Sequence, residues 1–101
     1  MLFEVDDFVP HESNTLRGFF TVYLPECGIS IPGFSYHERV SGARWIDFPS
    51  KPNKSGEYEK VIKPYETRKA KKFLEQLLKK LDEYLKDQEQ AQMKSDSESE
   101  I

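Results

Sequence analysis

The sequence predicts an α+β domain: a twisted antiparallel sheet of four to five strands, packed on one long C-terminal amphipathic helix and followed by a disordered acidic tail. Two changes of pattern along the chain predict it. Apolar residues alternate with period two through the first half, then shift near residue 70 to the i, i+3, i+4, i+7 spacing of a helical face. From Gln88 the apolar residues run out, which divides the chain into a domain over 1–87 and a polar, acidic tail over 88–101. With 101 residues in all, one hydrophobic core is expected.

The clearest strand is Leu16–Leu24, rich in aromatic and β-branched residues. Leu16, Gly18, Phe20, Val22 and Leu24 share one face; Arg17, Phe19, Thr21 and Tyr23 share the other. Pro25, Glu26, Cys27 and Gly28 make a turn. Ile29 and Ile31 then resume the alternation until Pro32 and Gly33 interrupt it, as at a bulge or an edge. The pattern continues through Phe34–His37, turns at Ser41 and Gly42, and resumes over Ala43–Phe48. A weaker opening strand is expected over Leu2–Val9, and a short fifth strand after the turn Pro52–Gly56.

The helix follows Pro64. Ala70, Phe73, Leu74, Leu77, Leu78, Leu81, Tyr84 and Leu85 lie on one face, with Thr67 as the expected N-cap and Lys71, Glu75 and Lys79 spaced for ion pairs on the polar side. Such a stripe must cover an apolar surface, and one face of the sheet supplies it. The opposite face would then carry Arg17, Phe19 and Tyr23, together with either Arg44 or Trp45 but not both.

Several classes of function are disfavoured. No apolar run approaches the roughly 18 to 20 residues of a membrane span, and Met1–Asp7 lacks the pattern of a secretion signal, so no membrane association and a cytoplasmic location are expected. Cys27 is the only cysteine. It has no thiol or histidine at zinc-ligand spacing, so neither a disulfide nor a metal is expected; buried filler is the commoner role for a lone cysteine, and an exposed place before the turn glycine Gly28 is the alternative. There is no glycine-rich phosphate loop and no nucleophile elbow, so no cofactor is expected either. His11 and His37 each precede a glutamate, but neighbours on a strand point to opposite faces, and neither pair makes a catalytic dyad. Binding is expected rather than catalysis.

Charge is segregated along the chain although the net value is only −3. Residues 1–38 hold six acids against Arg17, residues 39–72 hold ten bases against four acids, and residues 73–101 hold eight acids against four bases. The central block makes a local anion-attracting field. Arginine and lysine interleaved with Phe19, Tyr23 and Trp45 suit the stacking of bases and the neutralising of phosphates. The same residue types also suit a protein partner or a homodimer interface.

One stretch has more individual character. Trp45, Ile46, Asp47, Phe48, Pro49, Ser50 and Lys51 are followed by Ser55, Gly56, Glu57 and Tyr58, then by Val61, Ile62, Lys63 and Pro64, with the helix after them. Together with the upstream strand beginning Leu16, Arg17, Gly18 and Phe19, this order resembles the SpoVG family of small bacterial nucleic-acid-binding regulators over roughly residues 2–85. The resemblance implies a twisted four- or five-stranded sheet packed on a helix and a homodimer paired through strands. It also implies binding of DNA or RNA by basic residues after the fourth strand and at the helix start. Those residues are Lys51, Lys54, Arg68, Lys69, Lys71 and Lys72, and the charge map adds Arg44. Phe19, Tyr23 and Trp45 are the expected stacking or interface residues. The expected function is therefore nucleic-acid-binding regulation; a protein-interaction or scaffold domain with an exposed aromatic sheet face is the alternative.

Overall fold

A computed structural model describes residues 2–99, with side chains described for 2–89. Strands β1 (Glu4–Ser13), β2 (Leu16–Leu24), β3 (Ile29–Glu38) and β4 (Arg44–Asp47) form an antiparallel meander in chain order. Strands β5 (Ser50–Pro52) and β6 (Tyr58–Lys60) pair with each other, and helix α1 spans Thr67–Ser99. The α+β architecture expected from the sequence is therefore the one found. The expected fifth strand is β6, but it closes a separate hairpin with β5 and leaves the main sheet four-stranded. The helix continues past residue 88, where the apolar stripe ends; beyond Glu89 the expected disordered acidic tail lies outside the residues with described side chains.

Two of the sheet's four register shifts keep its inner face apolar. Between the pairs Asp6↔Thr21 and Val9↔Phe19, β1 carries one extra residue, and Asp7 takes up a φ of 57° there. The insertion flips the alternation, so Phe8 turns inward against Tyr36 and Asp7 stays in water. A second bulge falls at Pro32 and Gly33, which together face Thr21 between Phe20↔Phe34 and Val22↔Ile31. Gly33 has φ 90°, a conformation few other residues adopt, and the bulge lets both Ile31 and Phe34 point toward the helix. Gly18 serves the first bulge: a Cβ there would meet the Phe8 ring and sit 2.8 Å from the Val9 carbonyl oxygen.

The core lies between this face and the helix. Phe34 is at its centre, with ring centroids 5.8 Å from Phe20, 5.9 Å from Phe48 and 6.5 Å from Phe73. Leu77 and Leu81, one helical turn apart, are fully buried against the sheet along with Val22. Phe3, just before β1, closes one end by packing edge-on to Phe73 at 5.4 Å. Burial stabilises each such leucine by about 1.5–3 kcal/mol, which holds a helix whose first turn from Thr67 carries no acidic residue. The cap falls one residue earlier than expected: the Glu66 carbonyl accepts from the Ala70 N–H at 3.0 Å, so Glu66 holds the cap position and Thr67 is already inside the first turn.

Leu77→Ala should lower stability by about 2–5 kcal/mol in urea unfolding, because it empties a site with no solvent access. Gly18→Ala should be destabilising through displacement of Phe8. Val40→Ala, at a fully exposed position, should stay within about 0.5 kcal/mol of the parent protein.

Candidate nucleic-acid interface

The β5–β6 hairpin is built around Asn53. Its Oδ1 accepts from the backbone N–H groups of Ser55 at 2.9 Å and Glu57 at 3.1 Å, while Gly56 supplies the positive φ of 83° that closes the turn. Every residue of the two strands is exposed. Lys51, Lys54, Lys60 and Lys63 line one groove of about 480 Å³, with Glu59 as its only acid. Lys63 reaches Glu59 at 3.3 Å and Lys60 lies 4.0 Å from Asp47. Lys51 and Lys54 make no ion pair among the described residues.

At the start of α1 the cations spread around the helix. Lys69 pairs with Glu66 at 3.1 Å and shares with Lys63, Phe48 and Tyr65 a second groove that adjoins the hairpin. Lys71 lies beside Arg44, Trp45 and Ile46 on the β4 side. Arg68 and Lys72, four residues apart, occupy the polar face turned away from the buried stripe. All three of Arg68, Lys71 and Lys72 are exposed and without an ion pair among the described residues. These positive side chains stand where the helix's own dipole is positive and the first turn holds no acid. Glu66 compensates Lys69, while Arg68, Lys71 and Lys72 have no carboxylate within ion-pair distance among the described residues.

Arg44 stands apart from that group. Its guanidinium donates to both carboxylate oxygens of Asp82, at 2.6 and 3.0 Å, and to the Tyr36 hydroxyl at 3.3 Å. The Asp82 hydrogen bond, then that of Tyr36, raises its pKa further above the ordinary arginine value. Arg44 thus ties β4 to the helix, its charge balanced, on the face opposite Trp45. Of the two residues that could point outward, the outward one is Trp45.

The outer sheet face is more self-contained than an open aromatic platform. Trp45 stacks on His37, with centroids 5.2 Å apart and planes 3° from parallel, and the Arg39 guanidinium lies over the indole at 5.1 Å. Tyr23 donates its hydroxyl to Asp7, and that hydrogen bond to a carboxylate holds its pKa above the usual tyrosine value. Phe19 is 38% exposed beside His11, with Val9 as its cross-strand partner. Among the three expected stacking residues, Phe19 is the one with an open surface.

His37 is held at both ring nitrogens, Nδ1 by the Thr15 hydroxyl at 3.1 Å and Nε2 by the Ser35 hydroxyl at 2.9 Å. Asp47 approaches the same Nε2 at 3.9 Å. A nucleophile–base–acid relay needs hydroxyl and carboxylate on opposite nitrogens, so Ser35, His37 and Asp47 do not assemble one. Cys27, contrary to its expected burial, lies exposed in the β2–β3 turn.

Sequence reasoning missed Lys60 and Lys63 as groove residues and the clasp of His37 and Arg39 on Trp45. The lysines sit inside the basic block and could have been found there. The clasp depends on cross-strand register, His37↔Trp45, which alternation alone does not give. No family model, curated protein or solved structure matches the chain.

Burial pushes the His37 imidazole below its ordinary pKa of 6.5, against a smaller opposing pull from Asp47. Protons therefore bind the unfolded chain first as pH falls. The stability due to neutral His37 is complete above about pH 6.5 and is lost as pH drops from there toward the folded-state value. Thermal unfolding across pH 7 to 5 should show this decline. In His37→Phe that part of the slope should be absent.

Proposed function

We propose that the protein binds nucleic acid, DNA or RNA, through Lys51 and Lys54 on the β5–β6 hairpin and Arg68, Lys69, Lys71 and Lys72 at the start of α1, and acts as a cytoplasmic regulator rather than as an enzyme. One observation carries the reading: Arg68, Lys71 and Lys72, without ion pairs among the described residues, collect at the positive end of a helix where Glu66 balances Lys69, beside a hairpin groove rich in lysine. Phosphate oxygens are the partners such a surface stabilises, through charge-assisted hydrogen bonds and release of condensed counterions. The resemblance to the SpoVG family selects the same residues and adds a homodimer. Phosphate contacts orient a protein without reading bases, so affinity here is governed by charge more than by sequence. Among the described residues no helix is long and apolar enough to cross a membrane.

A protein partner at the outer sheet face is the second reading, favoured by the exposed Phe19 and Val9 side by side. Salt separates the two, because phosphate binding weakens steeply with ionic strength while an apolar interface largely persists.

Fluorescence anisotropy with labelled single- and double-stranded oligonucleotides over a salt series tests the proposal. Binding should be tight at low salt, and Lys51→Ala/Lys54→Ala should lower the slope of log K against log salt by about 2, one for each lost phosphate contact. Arg44→Lys, which alters a paired residue, should leave that slope unchanged. Absence of binding at about 50 mM salt would end the nucleic-acid reading.

A further inference from the structure

Between the hairpin and the helix the chain leaves one aromatic ring in water. Tyr65 immediately precedes Glu66, the cap of α1, and is 93% exposed. A bulky residue at this position commonly packs on the residue four places past the cap, here Ala70. An exposure this high leaves no such packing, so the ring does not serve the helix start. Nor does it stack on another aromatic side chain among the described residues. Trp45 and Tyr23, by contrast, are already engaged by Arg39 and Asp7.

The surroundings of that ring suit a flat, anionic guest. Tyr65 borders a shallow groove of about 260 Å³ with Phe48, Pro64 and Ala70 as its apolar lining and Lys63 and Lys69 as its cations. That volume is below the roughly 300 Å³ at which clefts for drug-sized ligands begin, which leaves room for one planar ring beside the tyrosine. Lys63 also lines the hairpin groove with Lys51 and Lys54, so the apolar slot adjoins the lysine-rich one. Lys63 and Lys69 are paired with Glu59 and Glu66, but both pairs are exposed, and exposed pairs contribute little and give way to a phosphate.

On the nucleic-acid reading of this surface, on which the inference rests, we propose that the site takes a single strand, with one base stacked on Tyr65 and the neighbouring phosphates on the lysines of the two grooves. In a duplex each base is covered on both faces by its neighbours in the stack, so a protein ring has nothing to lie against. Unpaired bases present their faces freely. Every base has such a face, so the slot favours unpaired strands without selecting a sequence. Stacking carries no charge, and its contribution persists at salt concentrations that weaken the phosphate contacts.

Anisotropy titrations of the full chain with labelled probes of equal length, a single strand, its duplex and a strand of abasic sites, separate stacking from charge. The parent protein should bind the single strand more tightly than the duplex, and about tenfold more tightly than the abasic strand. Tyr65→Ala should weaken single-strand binding about tenfold and leave the other two probes unaffected. The slope of log K against log salt should stay the same, since no phosphate contact is removed. Tyr65→Phe, which keeps the ring, should recover most of the loss. Tyr58→Ala removes a ring that is 77% exposed but lines neither groove, and should bind as the parent does. An unchanged urea midpoint in Tyr65→Ala shows that the loss is not one of folding. Tighter binding of the duplex, unchanged single-strand affinity in Tyr65→Ala, or an equal loss toward the abasic strand overturns the inference and leaves the nucleic-acid reading standing. Absence of binding to every probe at low salt ends both.

Discussion

Burial of Leu77 and Leu81 on the aromatic face of the sheet is the contact that the other features require. Both leucines are inaccessible to solvent, and the rings of Phe20, Phe34, Phe48 and Phe73 stack around them. The docking uses one face of the sheet completely and leaves the other without a cover. It also sets where the helix begins, and so brings Lys69 beside Lys63 of the hairpin segment and Lys71 beside β4. A continuous apolar floor depends in turn on the two bulges. Without the extra residue at Asp7, Phe8 would face water and a carboxylate would face the core; without the one at Pro32 and Gly33, Ile31 and Phe34 would lie on opposite faces.

The ten bases of the central block do not act as one surface once folded. Arg44 is spent on Asp82, bracing β4 against the helix. Arg39 lies over Trp45, where its charge is drawn to the indole face. Lys60, Lys63 and Lys69 have carboxylate neighbours within 4.0 Å. The remaining exposed cations of residues 50–72, namely Lys51, Lys54, Arg68, Lys71 and Lys72, define the field an approaching anion meets. Segregation of charge in sequence becomes segregation in space because β4 lies at one edge of the sheet and passes directly into the basic hairpin. The acids of β1, Glu4, Asp6 and Asp7, lie on the opposite edge strand.

Elements whose pattern is set by their own residues were legible in the sequence. Strand β2 has the expected ends, Leu16 and Leu24, and the helical stripe from Ala70 to Leu85 packs as its spacing requires. The bulge at Pro32 and Gly33 announced itself through two residues that disrupt a regular ladder. The bulge at Asp7 gave no such signal, since an aspartate in the left-handed region looks in sequence like any other aspartate. Nor could alternation say whether Arg44 or Trp45 faces out, because that depends on the register of β4 on β3. For the same reason the basic residues could be named while their pairing could not: a carboxylate such as Asp82 is 38 residues from Arg44 in the chain.

Helix energetics bear on the field at the helix start. Cations in the first turn oppose the dipole by about 0.3–1 kcal/mol each, and an isolated helix with this beginning would fray. Here the cost is offset several-fold by the buried leucines two to four turns further along, each stabilised by about 1.5–3 kcal/mol. The helix can therefore keep a repulsive, anion-seeking terminus without losing its fold. At this terminus the carboxylate of Glu66 is taken up by Lys69, and further along the same helix Asp82 pairs with Arg44. Charge compensation is thus full at Arg44, where the helix docks, and partial where the helix begins, with Arg68, Lys71 and Lys72 unpaired among the described residues. That asymmetry leaves net positive charge at the helix start.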